Sequence, residues 1–183
     1  MRAHGATVPS SCRIFGFPIF IQSKADVRLG ERVNLHNLPM LYGGGATFPA
    51  CSFSLGSGAS IEIGDDTYAA FAAFSAQKKI SIGKRVLIAS GCRIFDSDAH
   101  AVDRIPRMTH DGEGVCEVRI EDDVWLASDV MVCKGVTIGK GSVIGAKSLV
   151  THDIPPGVLA AGSPAEVIRP LRFGDRSSTS ANP

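Results

Sequence analysis

An all-β solenoid, a parallel β-helix built from six-residue repeats, is the fold class this sequence predicts, and three observations predict it. From Ile120 to Pro155 the chain runs in six consecutive blocks of six residues, opened by Ile120, Leu126, Val132, Ile138, Ile144 and Val150. Small or branched residues return at the fifth place, at Val124, Val130, Val136, Ser142, Ser148 and Ile154. Gly139, Gly141 and Gly145 sit where the chain must turn tightly or where a Cβ would crowd a neighbour. Each hexad supplies one short strand and one turn, so about eighteen residues close a triangular coil with the aliphatic openers stacked inside. Coils then stack at roughly 4.8 Å, like neighbouring strands of a sheet.

The elements follow in order. Residues 1–26 carry no hexads and read as a leader, and MRAHGATVPSSCR lacks the apolar core of a signal peptide. Val27, Leu29, Val33 and Leu35 suggest a first coil, which GGGATFPACSF interrupts. The rhythm returns at Leu55, Ile61 and Ile63 and continues through Ile80, Ile82, Val86, Ile88 and Ile94. Ile63 to Ile82 is one residue more than a full coil, which predicts a bulge near AQKK, residues 76–79. Residues 96–117 have no hexad pattern. A break of that length in a rigid solenoid is read as one extruded loop, the kind of projection on which chemistry is placed. After the last hexad GVLAAGSPAEVIRPL completes a final coil, so the helical domain is expected over 27–170. Residues 171–183 are polar, rich in small residues and expected to be disordered.

Composition narrows the function. A chain of 183 residues can bury one sizeable core. Charge is nearly balanced, 19 Lys and Arg against 18 Asp and Glu without a basic tract, which argues against nucleic acid and anionic membrane as partners. No apolar run approaches the ~20 residues of a membrane span, so the expectation is a soluble, cytoplasmic protein. Cys12, Cys51, Cys92, Cys116 and Cys133 are odd in number and free of CxxC spacing, which argues against a disulfide framework and a zinc site. Cys92 and Cys133 read as small apolar coil residues.

Two segments carry a resemblance. Residues 124–169, VWLASDVMVCKGVTIGKGSVIGAKSLVTHDIPPGVLAAGSPAEVIR, and the shorter IFDSDAHAVD at 94–103 resemble the hexapeptide-repeat acyltransferases, in the branch of maltose, galactoside and polysaccharide O-acetyltransferases. The likeness covers roughly residues 55–170. It implies a single-stranded left-handed coil, against the usual right-handed crossover preference. It also implies a homotrimer with active sites in the grooves between subunits, acetyl-CoA as donor and no metal. A γ-type carbonic anhydrase shares the solenoid but needs a close pair of histidines, which His4, His36, His100, His110 and His152 do not provide. Serine acetyltransferases carry a long helical N-terminal region with no counterpart here. An amine-directed acyltransferase and a non-catalytic β-helix scaffold remain as alternatives.

Within that resemblance His100 is the candidate general base. An unactivated hydroxyl is a poor nucleophile at neutral pH, and an imidazole can take its proton and return it to the departing thiolate. Asp96, Asp98 and Asp103 surround it, and Asp98 is the first choice to hold the second ring nitrogen. Arg104, Arg107 and Gln77 are candidates for reading acceptor hydroxyls. On the donor side the resemblance assigns Trp125, Ala127, Ser128 and Ala146 to the pantetheine arm and Thr151, Ser163 and Arg169 to the nucleotide end, with Arg169 the natural partner of a phosphate. His152 and Glu166 stand where relatives often carry a base. The coil before the histidine segment reads YAAFAAFSAQKK, where sugar-specific relatives commonly have an asparagine, so Phe71 and Phe74 are read as core or subunit contacts.

Overall fold

The computed structural model describes residues 5–21, 26–37, 50–103, 105 and 114–172. Among them there is no α-helix, and the chain winds as a left-handed parallel β-helix with three faces. The first face stacks Arg13–Phe15, Asn34–His36, Tyr68–Ala70, Leu87–Ile88, Trp125–Leu126, Val143–Ile144, Val158–Gly162 and Ala165–Pro170. The second runs from Ile19–Ile21 through Ser52–Leu55, Ala73–Ala76, Arg93–Phe95 and Met131–Val132 to Leu149–Val150. The third comprises Asp26–Leu29, Ser60–Ile63, Lys79–Ile82, Val118–Ile120 and Thr137–Ile138. All pairings between these strands are parallel except the last, where Val158–Gly162 and Ala165–Pro170 close the top as an antiparallel hairpin.

The hexad openers form the core. Leu29, Ile63, Ile82, Ile120 and Ile138 stack in one column, and Leu35, Ala69, Ile88, Leu126, Ile144 and Ala160 in another. The third column stacks Phe53, Phe74, Ile94, Val132 and Val150, with the two phenyl rings parallel at 5.2 Å. All of these side chains are buried, and burying each large one contributes roughly 1.5–3 kcal/mol. Fifth-place residues point inward as well. Ser142 and Ser148 are buried and satisfied, their hydroxyls donating to the Pro155 and Gly145 carbonyls at 2.7 Å. Gly141 turns a corner at φ 70°, and a Cβ at Gly139 would lie 2.5 Å from the Pro156 nitrogen.

The solenoid begins earlier than the sequence reading placed it. Arg13–Phe15 pairs with Asn34–His36, Ile19–Ile21 pairs with Ser52–Leu55, and Thr7 bridges Arg28, so the expected leader supplies the first rung. Among the described residues that rung is paired on one side only, and it does not demand fully buried openers. Val8, Cys12 and Ile14 meet the core only half-buried. Of the tail expected over residues 171–183, Leu171 and Arg172 are described, Leu171 donating its N–H to the Gly157 carbonyl at 2.7 Å, and the rest lies outside the described residues.

The bulge expected near residues 76–79 is present. Phe74 and Ile82 are eight residues apart, whereas Val132 and Ile138, on the same two columns, are six apart. The two extra residues make the corner at Gln77 and Lys78. One is recovered where Phe71 adopts φ 48°, with Ala69 and Phe74 five apart against six for Ile88 and Ile94 above them. Register survives the extruded loop in the same way. Ile94 pairs with Val132 and Ile120 with Ile82, so residues 96–117 leave and rejoin at one corner. An antiparallel bridge between Ser97 and Val115 closes the neck.

Another corner carries a charged ladder. Arg32, Asp66, Arg85 and Asp123 occupy it in successive coils with φ between 53° and 61°. Non-glycine residues pay for that conformation. Forked ion pairs accompany it here, Arg32 on Asp66 at 2.6 and 2.7 Å and Arg85 on Asp123 at 2.6 and 2.9 Å. Lys84 reaches Asp65 at 3.0 Å beside them.

Candidate active site

The loop is anchored by a residue that the sequence reading grouped with the possible histidine partners. Asp96 is fully buried, and its carboxylate accepts the backbone N–H groups of Gln77, Lys78 and Lys79 at 2.7, 2.7 and 2.8 Å. Those donors belong to the bulged corner, which turns three successive amides toward one point. Asp96 is therefore a structural pin, and its backbone carbonyl also receives the Cys116 N–H at 2.8 Å as the loop returns. Gln77 spends its N–H on the same pin, and its exposed side chain leaves from this corner.

Two residues on, the chain is exposed. His100 and Asp98 line one cavity of about 350 Å³ with Ala101, Val102, Asp103, Gly114 and Lys134. The Asp98 carboxylate receives the Lys134 ammonium, which comes from the coil above the loop. Asp98 holds that ammonium above the ordinary lysine range. Sequence reasoning missed Lys134, which sits inside a regular hexad, VCKGVT. Arg104 and Arg107 lie outside the described residues.

The donor candidates lie elsewhere. Trp125 is 45% exposed on the first face and, with Tyr68, Leu87, Ala70, Ala89, Ser90 and Ser128, lines a more apolar cavity of about 460 Å³. Tyr68 and Leu87, neither predicted, stack below Trp125 as one wall. At the lower end the Tyr68 hydroxyl meets His36 Nδ1 at 3.2 Å, and the His36 ring stacks on Phe71 with centroids 6.1 Å apart. The Trp125 column continues upward through Val143 and Leu159 to Arg169. Arg169 thus stands three strands, or about 14 Å, from Trp125. Its guanidinium is exposed and touches only the Pro170 carbonyl at 3.1 Å among the described residues.

Ala127 keeps its backbone N–H within the coil. Its N–H goes to the Ile144 carbonyl at 2.9 Å because it continues the ladder, and its carbonyl receives the Cys92 thiol at 3.2 Å. The Ser128 carbonyl takes the Lys147 N–H at 2.9 Å, which leaves the Ser128 side chain to face the cavity. Ala146 is exposed at the next corner and takes no part in the backbone ladder among the described residues. Thr151 is half-buried with its hydroxyl 2.9 Å from His152 Nδ1, and Ser163 is exposed in the closing hairpin turn. Neither of these two cavities is lined by Thr151, Ser163 or Arg169.

The two cavities share no lining residue, and they open on different parts of the prism. One holds an imidazole beside an ion pair, fit for proton transfer. The other is an apolar trench with a tryptophan wall and a guanidinium above it, fit for a long, partly apolar molecule ending in phosphate. No group of three or more metal-ligating side chains occurs among the described residues. Burial pushes the Cys51 and Cys92 thiols up to about 11, so neither is a nucleophile near neutrality.

Residues 117–152 match the family described as bacterial transferase hexapeptide (six repeats). Galactoside O-acetyltransferase of Escherichia coli is 40% identical over 130 residues, 70% of this chain and 62% of its own length. The chain thus spans about three fifths of the curated relatives it matches. Among solved structures, the hexapeptide-repeat-containing acetyltransferase VCA0836 of Vibrio cholerae is 35% identical with a TM-score of 0.55, over 61% of this chain and 63% of that one. A maltose O-acetyltransferase of Clostridium difficile 630 is 25% identical with a TM-score of 0.59, over 93% and 72%.

Proposed function

On the premise that the chain is a hexapeptide-repeat protein related to the sugar O-acetyltransferases, we propose that it is an acetyl-CoA-dependent O-acetyltransferase acting on a hydroxyl of a sugar or saccharide. The observation that carries this reading is the division of labour on one solenoid. A loop-borne imidazole sits in one cavity, and an apolar trench with Trp125 and Arg169 lies on another face. Proton-transfer and donor-binding groups so separated within one chain meet when a second copy sets its loop against the first chain's trench. The proposed unit is accordingly a homotrimer with a site in each groove, working in the cytoplasm on the acetyl-CoA supplied there.

In this scheme the acceptor oxygen attacks the thioester carbonyl while His100 takes its proton. The tetrahedral intermediate collapses with cleavage of the C–S bond, and His100 returns the proton to the CoA thiolate. Rate comes chiefly from holding thioester and hydroxyl in contact, with a backbone N–H facing the oxyanion. Trp125, Ser128 and Ala146 would flank the pantetheine arm, with Ala127 the small floor residue between them. Thr151, Ser163 and Arg169 would receive the nucleotide end. Asp98 acts from the wall of the His100 cavity.

Calorimetry with acetyl-CoA and CoA, mass determination on the same sample and mass spectrometry of a saccharide panel test this together. The expected result is one donor site per subunit of a trimer, and acetyl transfer that falls about 10²–10⁴-fold in His100→Ala. A folded protein that binds neither acetyl-CoA nor CoA overturns the reading.

A further inference from the structure

Lys134 has no part in the proposed reaction, yet its side chain meets the loop. Its ammonium engages Asp98 on the outgoing leg. Gly114, on the returning leg at φ 72°, packs against the same pair so closely that a Cβ there would lie 2.8 Å from Asp98 Oδ2 and 3.0 Å from Lys134 Nζ. Both legs of the loop and the coil above it therefore converge on one ion pair, and all three residues line the His100 cavity. Among the described residues the titratable and charged groups gathered here are Asp98, His100 and Asp103 from the outgoing leg, Cys116 from the return, and Cys133 and Lys134 from the solenoid.

We infer that Lys134 is a positioning residue for His100: it ties Asp98 to the solenoid wall, fixing the loop, and offsets the carboxylate charge beside the imidazole. The inference rests on His100 being the base. A base already protonated at neutral pH accepts nothing, and an unpaired carboxylate facing an imidazole favours the protonated ring. An ammonium on that carboxylate works in the opposite direction. The Lys134 ammonium stays charged throughout the range in which an imidazole titrates, since Asp98 holds it above the ordinary lysine value.

The test is an NMR titration of the His100 imidazole in the full chain, assigned by the resonance lost in His100→Gln, with the acid limb of kcat/KM followed in parallel. Lys134→Gln removes a positive charge and frees Asp98, so the midpoint rises by about 0.5 pH unit or more. Lys134→Arg keeps the wild-type midpoint. Gly114→Ala, which drives the pair apart from the other side, shifts it in the same direction as Lys134→Gln and carries the test if that variant does not fold. A folded Lys134→Gln protein with an unmoved midpoint overturns the inference. The titration needs no substrate, so the two readings fail separately. A shift in a protein that transfers no acetyl group keeps the role of Lys134 and removes the transferase, and transfer without a shift does the reverse.

Discussion

Asp96 and Asp98 are two residues apart and serve different ends. The first is buried under three backbone donors, and the second faces a cavity and a lysine. The sequence reading put Asp98 ahead as partner of the histidine but could not see Asp96 as a pin, since its three donors come from the bulged corner one coil below. Asp96→Ala is expected to leave those amides unpaired and to cost about 2–4 kcal/mol in urea unfolding. Asp98→Ala is expected to change stability far less. Lys134 was hidden for a related reason. Reading each hexad by itself makes Lys134 an ordinary surface residue, whereas counting two on from the paired Ile94 and Val132 places it directly above Asp96, at the root of the loop.

At the scale of the strand and its turn, the hexads were legible because every coil repeats one demand, an aliphatic side chain facing a closed interior. Ile120 meets that demand between Ile82 and Ile138 and is 1% exposed. Its replacement by alanine is expected to cost about 2–5 kcal/mol by thermal or urea unfolding, because neighbours fixed at coil spacing cannot collapse into the gap. The same argument explains what was not legible. The strands before Val27 are paired on one side only among the described residues, so burial is partial and the pattern fades. Trp125 was read from the resemblance, but Tyr68 and Leu87 below it were unreadable because outward positions obey no period, and only stacking in register assembles them.

For the whole molecule the charged corner ties the coils along the axis. Lys84 holds the Asp65 carboxyl below its ordinary value, Arg32 does so for Asp66, and Arg85 for Asp123. In each case the unfolded chain binds its proton more readily than the folded one. The resulting stability is fully present above the unfolded carboxylate value of about 3.9 and is lost as pH falls below it toward the folded values. Urea midpoints followed by circular dichroism are expected to be level above about pH 5 and to fall through pH 4. Asp123→Asn should flatten that fall, and a fall of unchanged size in the variant would mean that the ladder contributes nothing. What the sequence made legible at this scale was the solenoid and the place where it breaks. The proposed meeting of the loop of one copy with the trench of another would depend on surfaces that no repeat encodes.

The antiparallel hairpin at the top bears on how such a molecule ends. A coil built by laying parallel strands on one another presents, at its last rung, the same edge that each earlier rung offered to its successor, an invitation to grow into a filament. Here the chain doubles back on itself. Ala165–Pro170 covers the first face with a strand running the opposite way, and Pro170 has no N–H to offer. On that face the template no longer matches what it would have to copy.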